Sequence, residues 1–324
     1  MATPPLTDYQ KKKLSILEPK LRLAAGKRDL QAAKQITAEL QLLLRPTGHE
    51  TRLMYAKNFL FETAMESGSI EYAIQGFVGV RQRISKSTRL YLEATTLLAI
   101  CHLRKKDITS ATPFMLEALA YENNIQTLAR RTEFKSELIK RFDEEALLSA
   151  LGSDENFSLD PGRLQADAGE VIRTKHEEEI LELLGSTVPE GALDFVKKVH
   201  SESTRALTYE EKLRLPSPAS FEEKRKIGKG VLSAFQNVIH KSLCDKESDI
   251  YKIWFTNGMQ AVLDKTYLTG AVVATLSGLA IGGYAIAVYL TALLIKIGIE
   301  VFCETFQPAG IMDMRTRSRA KKKQ

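Results

Sequence analysis

Histidines, cysteines and a lysine set between glycines are the residues with which this chain could do chemistry, and their spacing argues against each use in turn. The five histidines (His49, His102, His176, His200 and His240) are scattered. His176-Glu177 opens like a zinc-protease helix but lacks the second histidine four residues on that would put two imidazoles on one face. Gly228-Lys229-Gly230 has no upstream glycine at phosphate-loop spacing and follows no predicted strand. Cys101, Cys244 and Cys303 lie far apart without a CxxC pair. They suggest neither a zinc site nor a disulfide framework, and the usage fits a reducing cytoplasm. Cys101 falls on a predicted helix and reads as packing, and the run Glu177-Glu178-Glu179 as a solvated face. The sequence predicts no catalytic residue, no metal and no cofactor, so an enzyme is not expected.

Charge points elsewhere. The net charge of +6 invites a nucleic-acid reading until it is located. Arg315, Arg317, Arg319, Lys321, Lys322 and Lys323 all fall in the last ten residues; removing those six from the 46 basic residues leaves 40 against 40 acidic. The body is neutral and the basicity belongs to a tail. A basic tail soon after an apolar segment is expected to contact lipid headgroups. Nucleic acid is disfavoured, because no basic body patch or aromatic platform accompanies the tail.

The elements that would carry such a tail read as helices throughout, with no alternating run long enough for a sheet. Early in the chain, Asp29-Leu30-Gln31-Ala32-Ala33, Ser69-Ile70-Glu71-Tyr72-Ala73 and Asp107-Ile108-Thr109-Ser110-Ala111 share one pattern: a capping residue, an aliphatic, and alanine four positions on. Ala33, Ala73 and Ala111 fall 40 and 38 residues apart, a helical-solenoid period. In the third unit Leu98-Ala99, Ala111, Met115 and Ala118, and in the second Leu60, Gly68, Ala73 and Phe77, stand where a tetratricopeptide repeat has its consensus positions. Residues 8–125 thus resemble that family, whose usual period is about 34 residues, although its characteristic proline is absent. The resemblance implies stacked helical hairpins and a concave surface for a protein or peptide partner. Related helical-pair solenoids and a plain bundle remain alternatives.

From about Gln126 to Leu215 the chain stays helical without a period, punctuated at Gly152-Ser153-Asp154-Glu155-Asn156 and Asp160-Pro161-Gly162. Leu215-Pro216-Ser217-Pro218-Ala219 reads as a linker, after which Ser220 and Glu223 form a capping box. Two helices are expected over 221–265, the second capped by Ser248 or Asp249. Trp254 and Tyr251 there lie either at a membrane surface or in a core.

Thr266 to Ile295 contains no charged residue, more than the roughly 18 residues that make a membrane-span candidate. One straight helix of that length would be about 45 Å long against a hydrocarbon core of about 30 Å. The expectation is therefore a hairpin turning at Gly282-Gly283, crossing the bilayer or dipping into it, its second half continuing to Phe302 with Lys296 and Glu300 paired one turn apart. Gly270, Ala274, Gly278 and Gly282 recur every four residues and predict a small-residue face for close helix packing, within the hairpin or in a homo-oligomer. A hairpin buried in a soluble bundle is the alternative.

The sequence therefore predicts an all-α protein: helical-hairpin repeats, a helical bundle, and a C-terminal apolar helical hairpin. Its expected regions are tetratricopeptide-like repeats (1–125), an irregular helical region (126–215), juxtamembrane helices (220–265), a membrane-embedded hairpin (266–302) and a basic cytoplasmic tail (303–324). The function expected is a membrane-associated scaffold or sensor facing the cytoplasm, at the inner membrane in a bacterium, which binds a protein or peptide partner. The alternative is a membrane-permeabilising effector with an oligomerising glycine-rich hairpin, similar in layout to abortive-infection proteins.

Overall fold

The structure, a computed structural model, describes residues 4–121, 127–152, 158–214, 223–244, 251–252 and 267–306. Every regular element among them is a helix. The chain divides into two compact units whose described residues fall within 4–127 and 128–306.

The first unit is three helical hairpins: α1 (Asp8–Gly26) with α2 (Leu30–Leu44), α3 (Glu50–Glu66) with α4 (Ile70–Arg83), and α5 (Arg89–Arg104) with α6 (Ile108–Leu119). Each helix packs on the next in sequence, and α1 on α3 and α3 on α5 as well, the nearest-neighbour pattern compatible with a solenoid. One turn is built three times. Arg28 (φ 54°), Gly68 (φ 83°) and Lys106 (φ 58°) occupy the left-handed region. After each, the next amide reaches back five residues: Asp29 to the Ala24 carbonyl, Ser69 to Ala64 and Asp107 to His102. These bonds satisfy carbonyls that the helix end would leave bare. Asp29 and Asp107 then cap the following helix by accepting from the Ala32 and Ser110 amides, whereas Ser69 holds the same place without a side-chain bond.

Alanine at the repeated position lets the two helices of a hairpin approach, and Ala33, Ala73 and Ala111 are all fully buried. Gly76 shows how tight the second hairpin is, since a Cβ there would fall into the Phe61 ring. Charge ties the hairpins at one end: Glu66, at the close of α3, accepts from Arg104 at 2.8 Å and lies 3.7 Å from Arg28. At the other end, Arg81 donates to Thr95 and Tyr91 and pairs with Glu117, joining α4, α5 and α6.

The second unit holds α7 (Leu128–Leu151), α8 (Pro161–Thr174), α9 (Glu177–Ser186), α10 (Glu190–Thr204), the short α11 (Tyr209–Arg214), α12 (Lys224–Cys244), α13 (Tyr267–Gly278), α14 (Tyr284–Ile297) and α15 (Ile299–Thr305). Helix α7 lies against α10 and α12, and α9 crosses α12. At that crossing the two backbones lie in direct contact. A Cβ on Gly185 would overlap the Lys224 carbonyl, and one on Gly228 would overlap the Leu181 carbonyl. Glycine on both helices is what lets the backbones touch, so Gly185 and Gly228 are packing residues. Residues 248–250 and 253–266, with Ser248, Asp249 and Trp254, and residues 307–324 with the basic tail, lie outside the described residues, as does Ser220.

Candidate functional site

The apolar hairpin is where sequence and structure are most informative together. Helix α13 ends by the same device as the repeat hairpins: Ala280 takes φ 55°, its amide bonds the Ser277 carbonyl, and the Ile281 amide reaches back to Leu276. Leu276 and Ile281 are both fully buried, closing the apolar contact that accompanies this turn. The link between the helices, from 279 to 283, contains the expected Gly282-Gly283, but the left-handed residue that ends α13 is Ala280. Gly283 has an ordinary φ of −68° and begins α14 with no side-chain cap.

Among the described residues, four ties help fasten the hairpin and the helix that follows it to their surroundings. Helix α8 supplies the first three. Tyr284 donates its hydroxyl to Asp167 at 2.6 Å, under the Arg163 guanidinium. Thr269 donates to Gln165 at 3.3 Å, and the Lys296 ammonium donates to the Lys175 carbonyl at 2.6 Å. The fourth is covalent: Cys244 at the end of α12 is disulfide-bonded to Cys303 on α15, Cα to Cα 5.3 Å. This corrects the expectation of three unlinked cysteines. Fifty-nine residues separate the pair in sequence, but the fold returns α15 to the end of α12. Phe302 is buried beside the bridge, stacked on Phe306 and 6.0 Å from the His240 ring.

Helix α14 does not continue to Phe302. Gly298, with φ 80° and ψ 133°, takes a conformation reserved for glycine, and α15 leaves at 83° to α14. The bend carries Glu300 away from Lys296, so the expected pair is replaced by the bond from Lys296 to α8. No single helix among the described residues is long and apolar enough to cross a membrane, though α14 and α15 together pass by length and composition. In this arrangement α14 is enclosed. Ile286, Ala287, Val288, Leu290, Ala292, Leu293 and Leu294 are buried, against α8, α9 and α13.

Among the described residues, no helix packs closely on the expected small-residue face at Gly270 and Gly278. Ala274 and Gly278 are exposed, Gly270 and Gly282 half-buried, and a Cβ on Gly270 or Gly278 would enter open space.

A second polar cluster escaped the sequence reading. On α7, burial pushes the Glu144 carboxyl up; it accepts from Ser233 at 2.8 Å and Asn237 at 2.7 Å, both on α12. One residue earlier, Asp143 sits 2.8 Å from His200 on α10. That hydrogen bond raises the imidazole, while burial pushes the Asp143 carboxyl up against the pull of the histidine. The nearby Ser203 hydroxyl donates to the His200 backbone carbonyl and is not aimed at the ring. The evident work of the pair is joining α7 to α10. Among the described residues no three histidine, cysteine or carboxylate side chains converge as metal ligands. His200 and Asp143 are 57 residues apart, so no local motif announces them.

Compared with known proteins, the chain matches no family model, and no curated protein or solved structure is significantly similar to it.

Proposed function

We propose that this is a helical-repeat sensor, its repeats of the tetratricopeptide type, which binds a protein or peptide partner and stores in its second unit an apolar hairpin able to enter a membrane. One observation carries the reading: the uncharged run, described from Tyr267 to Ile295, folds as a hairpin that packs beneath α8 and α9 and is joined to α8 and α12 by discrete polar and covalent ties. A permanent anchor has no use for a berth under polar helices. A hairpin that moves does, which favours the effector reading over the scaffold. The unused face at Ala274 and Gly278 then supplies close contact between hairpins once they leave that berth, and the basic tail from Arg315 to Lys323 holds anionic lipid.

The burial of α14 on its core-facing sides favours a second reading, a soluble interaction protein in which α14 is a core helix. Flotation of the full-length protein with phosphatidylglycerol vesicles, followed by a carbonate wash, separates the two. The stored-hairpin reading expects carbonate-resistant protein and dye leakage once a thiol reductant has opened the Cys244–Cys303 bridge. Protein that stays monodisperse in detergent-free buffer and off the vesicles, before and after reduction, leaves only the soluble reading.

A further inference from the structure

The outer face of α1 carries a line of apolar side chains that nothing in the repeats covers. Tyr9, Ile16 and Leu23 are 67%, 47% and 41% exposed and stand seven residues apart. Seven residues is nearly two full turns, so the three side chains form one seam, offset from the buried face of Leu14, Leu17, Leu21 and Ala24. The seam is flanked by exposed lysines at 12, 13, 20 and 27. Both carboxylates of the helix are already committed, Asp8 to Lys11 and Glu18 to Arg52 on α3. On α1 the surface is therefore apolar along its centre, with lysines at its edges and both of the helix's own carboxylates paired elsewhere.

We propose that this seam docks an acidic amphipathic helix of a partner protein, apolar at seven-residue spacing and flanked by glutamate or aspartate. The inference rests on the reading of the repeats as an interaction module and names where and what they bind. A heptad seam is the geometry by which one helix packs along another. A second copy of α1 would set lysine against lysine, and the chain's own tail from Arg315 is basic too. A bilayer surface takes a broad apolar face, whereas α1 has spent its broad face on α2 and α3 and offers a line of three side chains.

The test titrates the full-length protein into a labelled synthetic peptide with leucine at heptad positions and glutamate beside them, read by fluorescence anisotropy. Wild type is expected to bind. The double substitution Ile16→Ala with Leu23→Ala weakens binding about tenfold from lost apolar area, with helicity unchanged by circular dichroism because both sites are exposed. Lys12→Glu with Lys20→Glu weakens it at least as much and flattens its salt dependence. Failure of wild type to bind, or equal binding of a peptide with lysine for every glutamate, overturns the proposal. So does uptake by phosphatidylserine vesicles, in place of the peptide, that depends on Ile16 and Leu23. Unchanged binding by the Ile16/Leu23 variant overturns this surface while leaving an interaction module elsewhere on the repeats. A protein that binds the peptide through α1 but never floats with vesicles keeps this proposal and loses the stored hairpin.

Discussion

The repeat hairpins and the apolar hairpin turn on the same backbone device, yet they are finished differently. After Arg28 and Lys106 the chain places an aspartate that caps the next helix at once. After Ala280 it places a buried isoleucine and two glycines, and α14 begins without a side-chain cap. The first and third repeat turns thus carry their own side-chain cap, while the second, at Ser69, lacks one. The apolar turn borrows its polar partner from another helix, through Tyr284 and Asp167. A hairpin that carries its own caps keeps its shape wherever it goes; one that borrows them is shaped by its present neighbours.

Glycine draws the same contrast more sharply. Gly228→Ala or Gly185→Ala should cost several kcal/mol, because each new methyl meets a carbonyl of the facing helix and the backbones must part. Gly270→Ala and Gly278→Ala should instead stabilise the folded chain by up to about 1 kcal/mol each, as alanine outranks glycine in an open helix position. Urea melts followed by circular dichroism check both. A loss at Gly278 equal to that at Gly228 would show that the small-residue face is packed after all.

Opening the bridge comes next. Cys303→Ser removes a closure of 59 residues, which in the chain-entropy picture is worth about 4 kcal/mol, less whatever structure the unfolded chain retains. The loss should appear in urea melts of the oxidised protein and vanish when both proteins are reduced. No change in the oxidised protein would mean that α15 is held by Phe302 and its neighbours alone.

A smaller effect separates acid from neutral pH. The Lys135 ammonium, 2.7 Å from Glu211, holds that carboxyl down at about 2. A depressed carboxyl stabilises the fold above its unfolded value of 4.5 and gives that stability up as pH falls toward 2. Because Glu211 is a third exposed, about 1–2 kcal/mol is expected, and Glu211→Gln should flatten that part of the pH curve. An unchanged curve in the variant would assign the acid limb to other carboxylates.

The smallest test returns to the turns. Asp107→Ala should cost about 1 kcal/mol, and Ser69→Ala nothing measurable, because only the aspartate makes a capping bond. Ala280→Gly should gain roughly 1 kcal/mol by relieving a left-handed alanine. Equal effects at Asp107 and Ser69 would erase the distinction.

How much of this was legible in the sequence follows from how local each signal is. The alanines at 33, 73 and 111 and the caps at Asp29 and Asp107 act within one helix turn, and sequence spacing displays them. The left-handed turns at Arg28 and Lys106 were not visible, since only Gly68 has the residue type that advertises such a conformation. Gly185 with Gly228, Cys244 with Cys303 and Asp143 with His200 are partnerships across 40 to 60 residues. Nothing local encodes a partner that the fold has yet to deliver. Beyond the uncharged run, the second helix was expected to continue to Phe302, but Gly298, with φ 80°, ended it.

The bridge has a topological consequence. Cys244 and Cys303 make the segment between them a ring, so a protease cut anywhere within it opens the loop without releasing either piece. A nicked molecule would run as one band on a gel until a thiol was added and as two afterwards. Tension applied beyond residue 303 would likewise pass straight to α12, leaving the greasy loop slack.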